Sequence, residues 1–116
     1  MQIKRGEIWS VLWTGLAGKP RPALVIQSEK YLLTETDILA LITTADGAAG
    51  ELRLSIEATE DNGLLQNSFI CLDKLMAIPL SNLGERYGCV SDEIMLEVDD
   101  RLIKILGIGE SRQAVL

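Results

Sequence analysis

The sequence predicts a mainly β domain: five or six short strands in a small, strongly bent sheet or barrel, with one C-terminal helix packed on it. Three observations lead there. Apolar residues alternate, or gather in short β-branched runs, through the first two thirds of the chain. Turn-forming residues punctuate those runs at short intervals, as in Asp61-Asn62-Gly63. Only residues 91–107 carry apolar groups at helical spacing.

Residues 3–13 read as the first strand, with Ile8, Ser10 and Leu12 on one face and Glu7, Trp9, Val11 and Trp13 on the other. Apolar groups on both faces predict partial cover on both sides. Residues 14–19 form a loop with two glycines, and the following PRPALVIQS holds a strand over Ala23–Gln27. Its prolines push Lys19 and Arg21 toward extended geometry, which mounts Arg21 on a stiff strand entrance. Thr36–Thr44 reads as a central strand, Ala45–Gly50 as the most pliant stretch, and Leu52–Ile56 as a one-sided strand. Asn67–Leu72 and Asp73–Leu80 read as two further extended pieces, the second broken by Pro79. Ser91, followed by Asp92 and Glu93, is a good helix start, because the cap oxygen and the acids both suit a helix N-terminus. Ile94, Val98, Leu102 and Ile105, supported by Met95, Ile103 and Leu106, mark the packed face, and Gly107 the stop.

At 116 residues, with 47% apolar and 24% charged side chains, the chain is expected to fold as one domain over residues 1–116. No apolar run approaches the length of a membrane span and no apolar segment follows the basic N-terminus, so a cytoplasmic location is expected. There is no histidine, which removes the usual base near neutral pH and the commonest metal ligand. Cys71 and Cys89 stand apart without neighbouring ligands, so they read as two buried or half-buried thiols; no metal and no cofactor is expected. Chemistry must then come from Arg, Lys, Asp, Glu, Ser, Thr or Tyr. The net charge of −6 is unlike a nonspecific nucleic-acid binder. It is unevenly spread, with five basic and two acidic residues in 1–30 against six and fifteen in 31–116. A local positive stripe near the N-terminus can still hold a phosphate backbone. Lys19, Arg53 and Lys74 are candidate phosphate contacts. Trp13, beside the glycine-rich loop, is a better base-stacking candidate than Trp9, although both suit core or subunit contacts.

Five segments stand in a telling order: KRGEIW, KPRPALVIQ, the run ending in ITT, GLLQNSFICLDKL and SDEIMLEVDDRLIKILGI. Together they resemble the MazF/PemK (Kid-like) toxins of bacterial toxin–antitoxin systems over nearly the whole chain. The resemblance implies the CcdB/PemK-like fold, a small SH3-like barrel. It also implies a homodimer, a cognate antitoxin as partner, and metal-independent cleavage of single-stranded RNA at short sequences. It assigns the catalytic pair to Arg21 and Thr43 and the acidic position to Asp73.

Such cleavage uses the RNA's own 2′-hydroxyl as nucleophile, so its barrier is dominated by charge gathering on phosphorus. A fixed guanidinium can bind two phosphate oxygens at once, and a threonine hydroxyl can donate to a third. Arginine is a poor proton acceptor, its pKa being above about 12. The acid/base or orienting group is open among Glu7, Asp73 and water. One departure concerns base reading: the family's glutamine after the acidic residue is Lys74 here, and the polar pair that follows has become the apolar Met76-Ala77. Lysine donates only, where glutamine both donates and accepts. The alternative functions are a non-catalytic, gyrase-binding toxin of the CcdB type and a catalytically degenerate family member.

Overall fold

The computed structural model describes residues 2–13, 18–32, 35–44 and 50–110. Most of the two expected loops, residues 14–17 and 45–49, lies outside these. Six strands form one antiparallel sheet: β1 (Glu7–Val11), β2 (Arg21–Val25), β3 (Thr36–Thr43), β4 (Arg53–Ile56), β5 (Ser68–Pro79) and β6 (Leu83–Cys89), followed by helix α1 (Asp92–Leu106). Their spatial order is β4-β5-β3-β2-β1-β6, and short 3-10 turns occupy Glu29–Tyr31 and Leu80–Asn82.

The first strand behaves as its two-faced pattern requires. All five residues of β1 are buried, with Ile8 in the core beneath the helix and Trp9 and Val11 in a second core on the far side. β3 lies at the centre of the sheet, where its β-branched, apolar run predicts it. The helix starts on Ser91, whose side chain accepts from the Ile94 N–H, and ends on Gly107 in the left-handed conformation. Val98 and Leu102 are its buried residues, sealing the first core. The expected packed face is narrower than its pattern, since Ile103 and Leu106 are about half exposed (48% and 57%). Arg101 ties the helix to the start of β4, donating to the Gly50, Glu51 and Arg53 carbonyls while its Nε donates to Glu97.

Three expectations need correction. Asn67–Leu72 and Asp73–Leu80 are one strand, β5, bent in the middle: its register against β3 jumps between Ala40–Leu75 and Leu41–Cys71. Such an irregularity bends a strand without ending it. The sixth strand, β6, carries no apolar alternation in LGERYGC, so no period reveals it. Cys89 is exposed at its end rather than buried, while Cys71 is fully buried.

The expected barrel is approximate. The edge strands β4 and β6 share no ladder among the described residues, and the gap is bridged by residues 57–64 instead. Asn62 shapes that segment: its Oδ1 accepts from the Thr59 and Leu64 N–H groups at 3.0 Å each, and its Nδ2 donates to the Glu57 carbonyl at 2.9 Å. The Cys89 N–H then donates to the Asp61 carbonyl at 2.9 Å, tying the segment to β6. Glycine makes this approach feasible: a Cβ at Gly88 would overlap the Asp61 carbonyl oxygen, and one at Gly63 the Tyr87 carbonyl oxygen.

Candidate functional site

Strand register fixes which side chains share a face, because residues opposite one another in an antiparallel pair point the same way. One row runs Trp9, Ala23, Leu41, Cys71, Arg53 across β1, β2, β3, β5 and β4. The neighbouring row has Val11 opposite Arg21, and Thr43 opposite Phe69 opposite Ser55. Continuing the β2–β3 register by two residues sets Arg21 across from Thr43. Both rows lie on the face turned away from α1, since Trp9, Val11 and Ala23 belong to the second core. The first row is largely buried, but the second opens outward: Arg21 and Ser55 are exposed, Thr43 and Phe69 half-buried.

Arg21 is the first residue of β2, held at the strand entrance between Pro20 and Pro22, as the flanking prolines predict. Its guanidinium makes no hydrogen bond or ion pair with another described residue, and the two candidate carboxylates have partners of their own. Asp73 faces Arg53, with Nε to Oδ1 at 3.6 Å. Glu7 receives the Arg86 Nε at 2.6 Å, the Lys4 N–H at 2.7 Å and the Trp9 indole N–H at 3.2 Å. Burial works to raise the Glu7 pKa, but these donors outweigh it, with Arg86 foremost, and hold the carboxyl below its ordinary value.

The predicted residues thus fall into three groups. Arg21 and Thr43 stand at one end of the sheet, and half-buried Trp13 and exposed Lys19 lie just beyond the paired residues of β1 and β2 at that end. Arg53, Asp73 and Lys74 form a second group around the bend of β5, on the flank of the same face. Glu7 stands alone, four residues along β1 from Val11, or about 13 Å from the level of Arg21 at the usual strand rise. Asp73 lies in the irregular stretch of β5, between the levels of Leu41 and Ala40, two to three residues or about 7–10 Å along β3 from Thr43.

The structure adds residues with no sequence signal. Arg86, on the unpatterned strand β6, is the partner that fixes Glu7. A cleft of about 410 Å³ opens beside the Arg21–Thr43 end, lined by Pro22, Thr44, Leu64, Leu65, Gln66 and Tyr87 among others. Cys71 offers no nucleophile near the pair: it is fully buried, and burial pushes its thiol pKa up.

Arg21 with Thr43 has the composition of an oxyanion clamp: a fork of fixed donors beside a single hydroxyl, on a partly open face. Comparison with other proteins gives the family. Residues 4–106 match the family described as PemK-like, MazF-like toxin of type II toxin–antitoxin system. The chain is 36% identical over 108 residues to a protein named probable endoribonuclease MazF from Mycolicibacterium smegmatis, covering 92% of this chain and 99% of that one. Among solved structures, MazE–MazF from Deinococcus radiodurans superposes with a TM-score of 0.76 at 19% identity, covering 94% of this chain and 99% of the other. An endoribonuclease in complex with its cognate antitoxin, from a mycobacterial species, gives 0.75 at 16% identity, covering 95% and 100%. At such identities the structural likeness establishes the fold.

Proposed function

The chain belongs to the PemK-like, MazF-like toxins of type II toxin–antitoxin systems, and from that membership we propose that it is a cytoplasmic, metal-independent endoribonuclease. It cuts single-stranded RNA at short sequences, works as a homodimer and is held in check by a cognate antitoxin. Its relative from M. smegmatis, named as an endoribonuclease, supports the activity. The mycobacterial endoribonuclease solved in complex with its cognate antitoxin supports the partner.

In this reading the scissile phosphate sits between Arg21 and Thr43. The 2′-oxygen attacks phosphorus and the bond to the 5′-oxygen breaks, leaving a 2′,3′-cyclic phosphate and a 5′-hydroxyl. Arg21 grips two phosphate oxygens as negative charge builds on them, and the Thr43 hydroxyl donates to a non-bridging oxygen. Water takes the 2′-hydroxyl proton and returns one to the departing 5′-oxygen, since Glu7 stands about 13 Å along β1 from the level of Arg21 and Asp73 faces Arg53. Asp73 orients Arg53, which contacts phosphate with Lys74 beyond the scissile bond, while Lys19 and Trp13 flank it on the other side. Local charge does this work, in a chain whose net charge of −6 makes binding weak and salt-sensitive.

The observation that carries this reading is the exposed guanidinium of Arg21, unpaired among the described residues and set opposite Thr43 by the β2–β3 register. Arg21→Ala should slow cleavage about 10²–10³-fold, the usual cost of one preorganised donor at a developing oxyanion. Arg21→Lys should recover only part, because an ammonium keeps the charge and loses the fork. A folded Arg21→Ala protein cutting RNA at the original rate would refute the assignment. The CcdB-like alternative, which the acidic total charge favours, requires that a folded, antitoxin-free sample cut no RNA at all.

A further inference from the structure

We propose that the cleft beside the Arg21–Thr43 end of the sheet binds one base of the RNA, stacked on Tyr87 and read along its edge by Gln66. The inference rests on the reading of Arg21 and Thr43 as the phosphate-holding pair. Pro22 and Thr44, which line the cleft, directly follow those two residues in the chain. Consecutive Cα atoms are about 3.8 Å apart, so cleft and pair flank the same end of β2 and β3. A nucleotide whose phosphate lies on one side of that end has its base within reach of the other.

The chemistry of the walls suits a base. Tyr87 keeps 37% of its surface exposed, and Leu65 is 97% exposed. Leu64 and Pro22 add further apolar lining. Every base has an apolar π-face, and stacking on an aromatic ring is a common way to hold one from single-stranded RNA. The Gln66 carboxamide carries both a donor and an acceptor, the pair a base edge needs for recognition. At about 410 Å³ the cleft lies low in the range of small-ligand sites.

The walls are also built in advance. Asn62 is 5% exposed and holds the 57–64 segment through the three side-chain bonds described above. Gly63 then lets the turn rest directly against the Tyr87 backbone. Such preorganisation lowers the ordering cost of binding.

The test uses the full chain as wild type, Tyr87→Ala, Tyr87→Phe and Gln66→Ala, each checked for fold by circular dichroism and for native mass. Cleavage is followed on RNA carrying an abasic residue at each position around the cut site, and binding on uncleavable 2′-O-methyl RNA of mixed sequence. Tyr87→Ala should weaken RNA binding about 5- to 150-fold, the effect of losing one stacked base. It should raise KM with kcat little changed, whereas Tyr87→Phe should retain affinity. In the wild type one abasic position should cost the same factor, and in Tyr87→Ala that position should cost nothing more. Gln66→Ala should relax base preference at that position alone.

If RNA is cut and all three variants match the wild type, the cleft is not a base site and the nuclease reading stands. If nothing is cut but Tyr87→Ala loses RNA binding, the base site stands and the nuclease reading fails. If nothing is cut and the variants bind RNA as the wild type does, or none binds it, both fail. A Tyr87→Ala protein with altered native mass and unaltered RNA binding would make the cleft a subunit contact and overturn the proposal.

Discussion

Replacing Glu7 should separate what its charge contributes from what its shape contributes. The carboxylate is 8% exposed as a residue and accepts from the Arg86 Nε, the Lys4 N–H and the Trp9 indole. In Glu7→Gln the amide oxygen can keep the Lys4 and Trp9 donors, but an NH₂ then faces the guanidinium. Hydrogen bonds to charged groups are worth about 1.5–3 kcal/mol. The Arg86 side chain is about half exposed at 47%, which moves the expected cost of Glu7→Gln to the lower end, about 1–2 kcal/mol. Glu7→Ala also strands the indole N–H of Trp9, itself 7% exposed, and should cost about 2–4 kcal/mol. The pH dependence follows from the lowered Glu7 pKa. The folded carboxylate holds its charge more tightly than the unfolded one, so the stability it contributes is complete above the unfolded value. It is lost as pH falls through the folded value. The assay is urea unfolding followed by tryptophan fluorescence at fixed protein concentration, at pH 7 and pH 3. The gap between wild type and Glu7→Gln should be open at pH 7 and narrow on acidification. A gap of equal size at both pH values, or none at pH 7, would refute the electrostatic role of this residue.

Gly88→Ala should cost about 1–3 kcal/mol through overpacking against the Asp61 carbonyl. Amide exchange at Cys89, whose N–H bonds that carbonyl, should speed up first. Asp73→Asn should change stability by less than about 1 kcal/mol, because its ion pair with Arg53 is long at 3.6 Å and partly solvated. The same variant should leave kcat for RNA cleavage within about tenfold of the wild type, whereas a general base contributes about 10²–10⁴-fold.

How much of this was legible in the residues depended on whether a period or a cap carried the signal. The helix was readable to its ends because Ser91, its two following acids and Gly107 are local devices that act where they stand. β1 declared its two buried faces through Ile8 against Trp9 and Val11. β6 was silent because its residues answer to neighbours distant in sequence: Gly88 yields to Asp61, and Arg86 pairs with Glu7. The bend that joins two expected pieces into β5 is likewise a matter of register against β3, which no single segment encodes. For the candidate site, the flanking prolines marked Arg21, but its nearness to Thr43 depends on the β2–β3 pairing. Glu7 looked available for chemistry because its charge is visible in the sequence and its three donors are not. The cleft beside Tyr87 could not be read at all, since a turn, a strand and two strand ends build it together.

The measurement that bears most directly on the central claim is the chemistry of the ends left on RNA. A mixed-sequence single-stranded RNA would be incubated with antitoxin-free protein in excess EDTA, with Arg21→Ala alongside, and the fragments mapped and their termini identified. A phosphate clamp of Arg21 and Thr43 predicts cuts at a short recurring sequence, each leaving a 2′,3′-cyclic phosphate and a 5′-hydroxyl, and their loss in Arg21→Ala. Cleavage that disappears with EDTA, or ends bearing a 5′-phosphate, would contradict it.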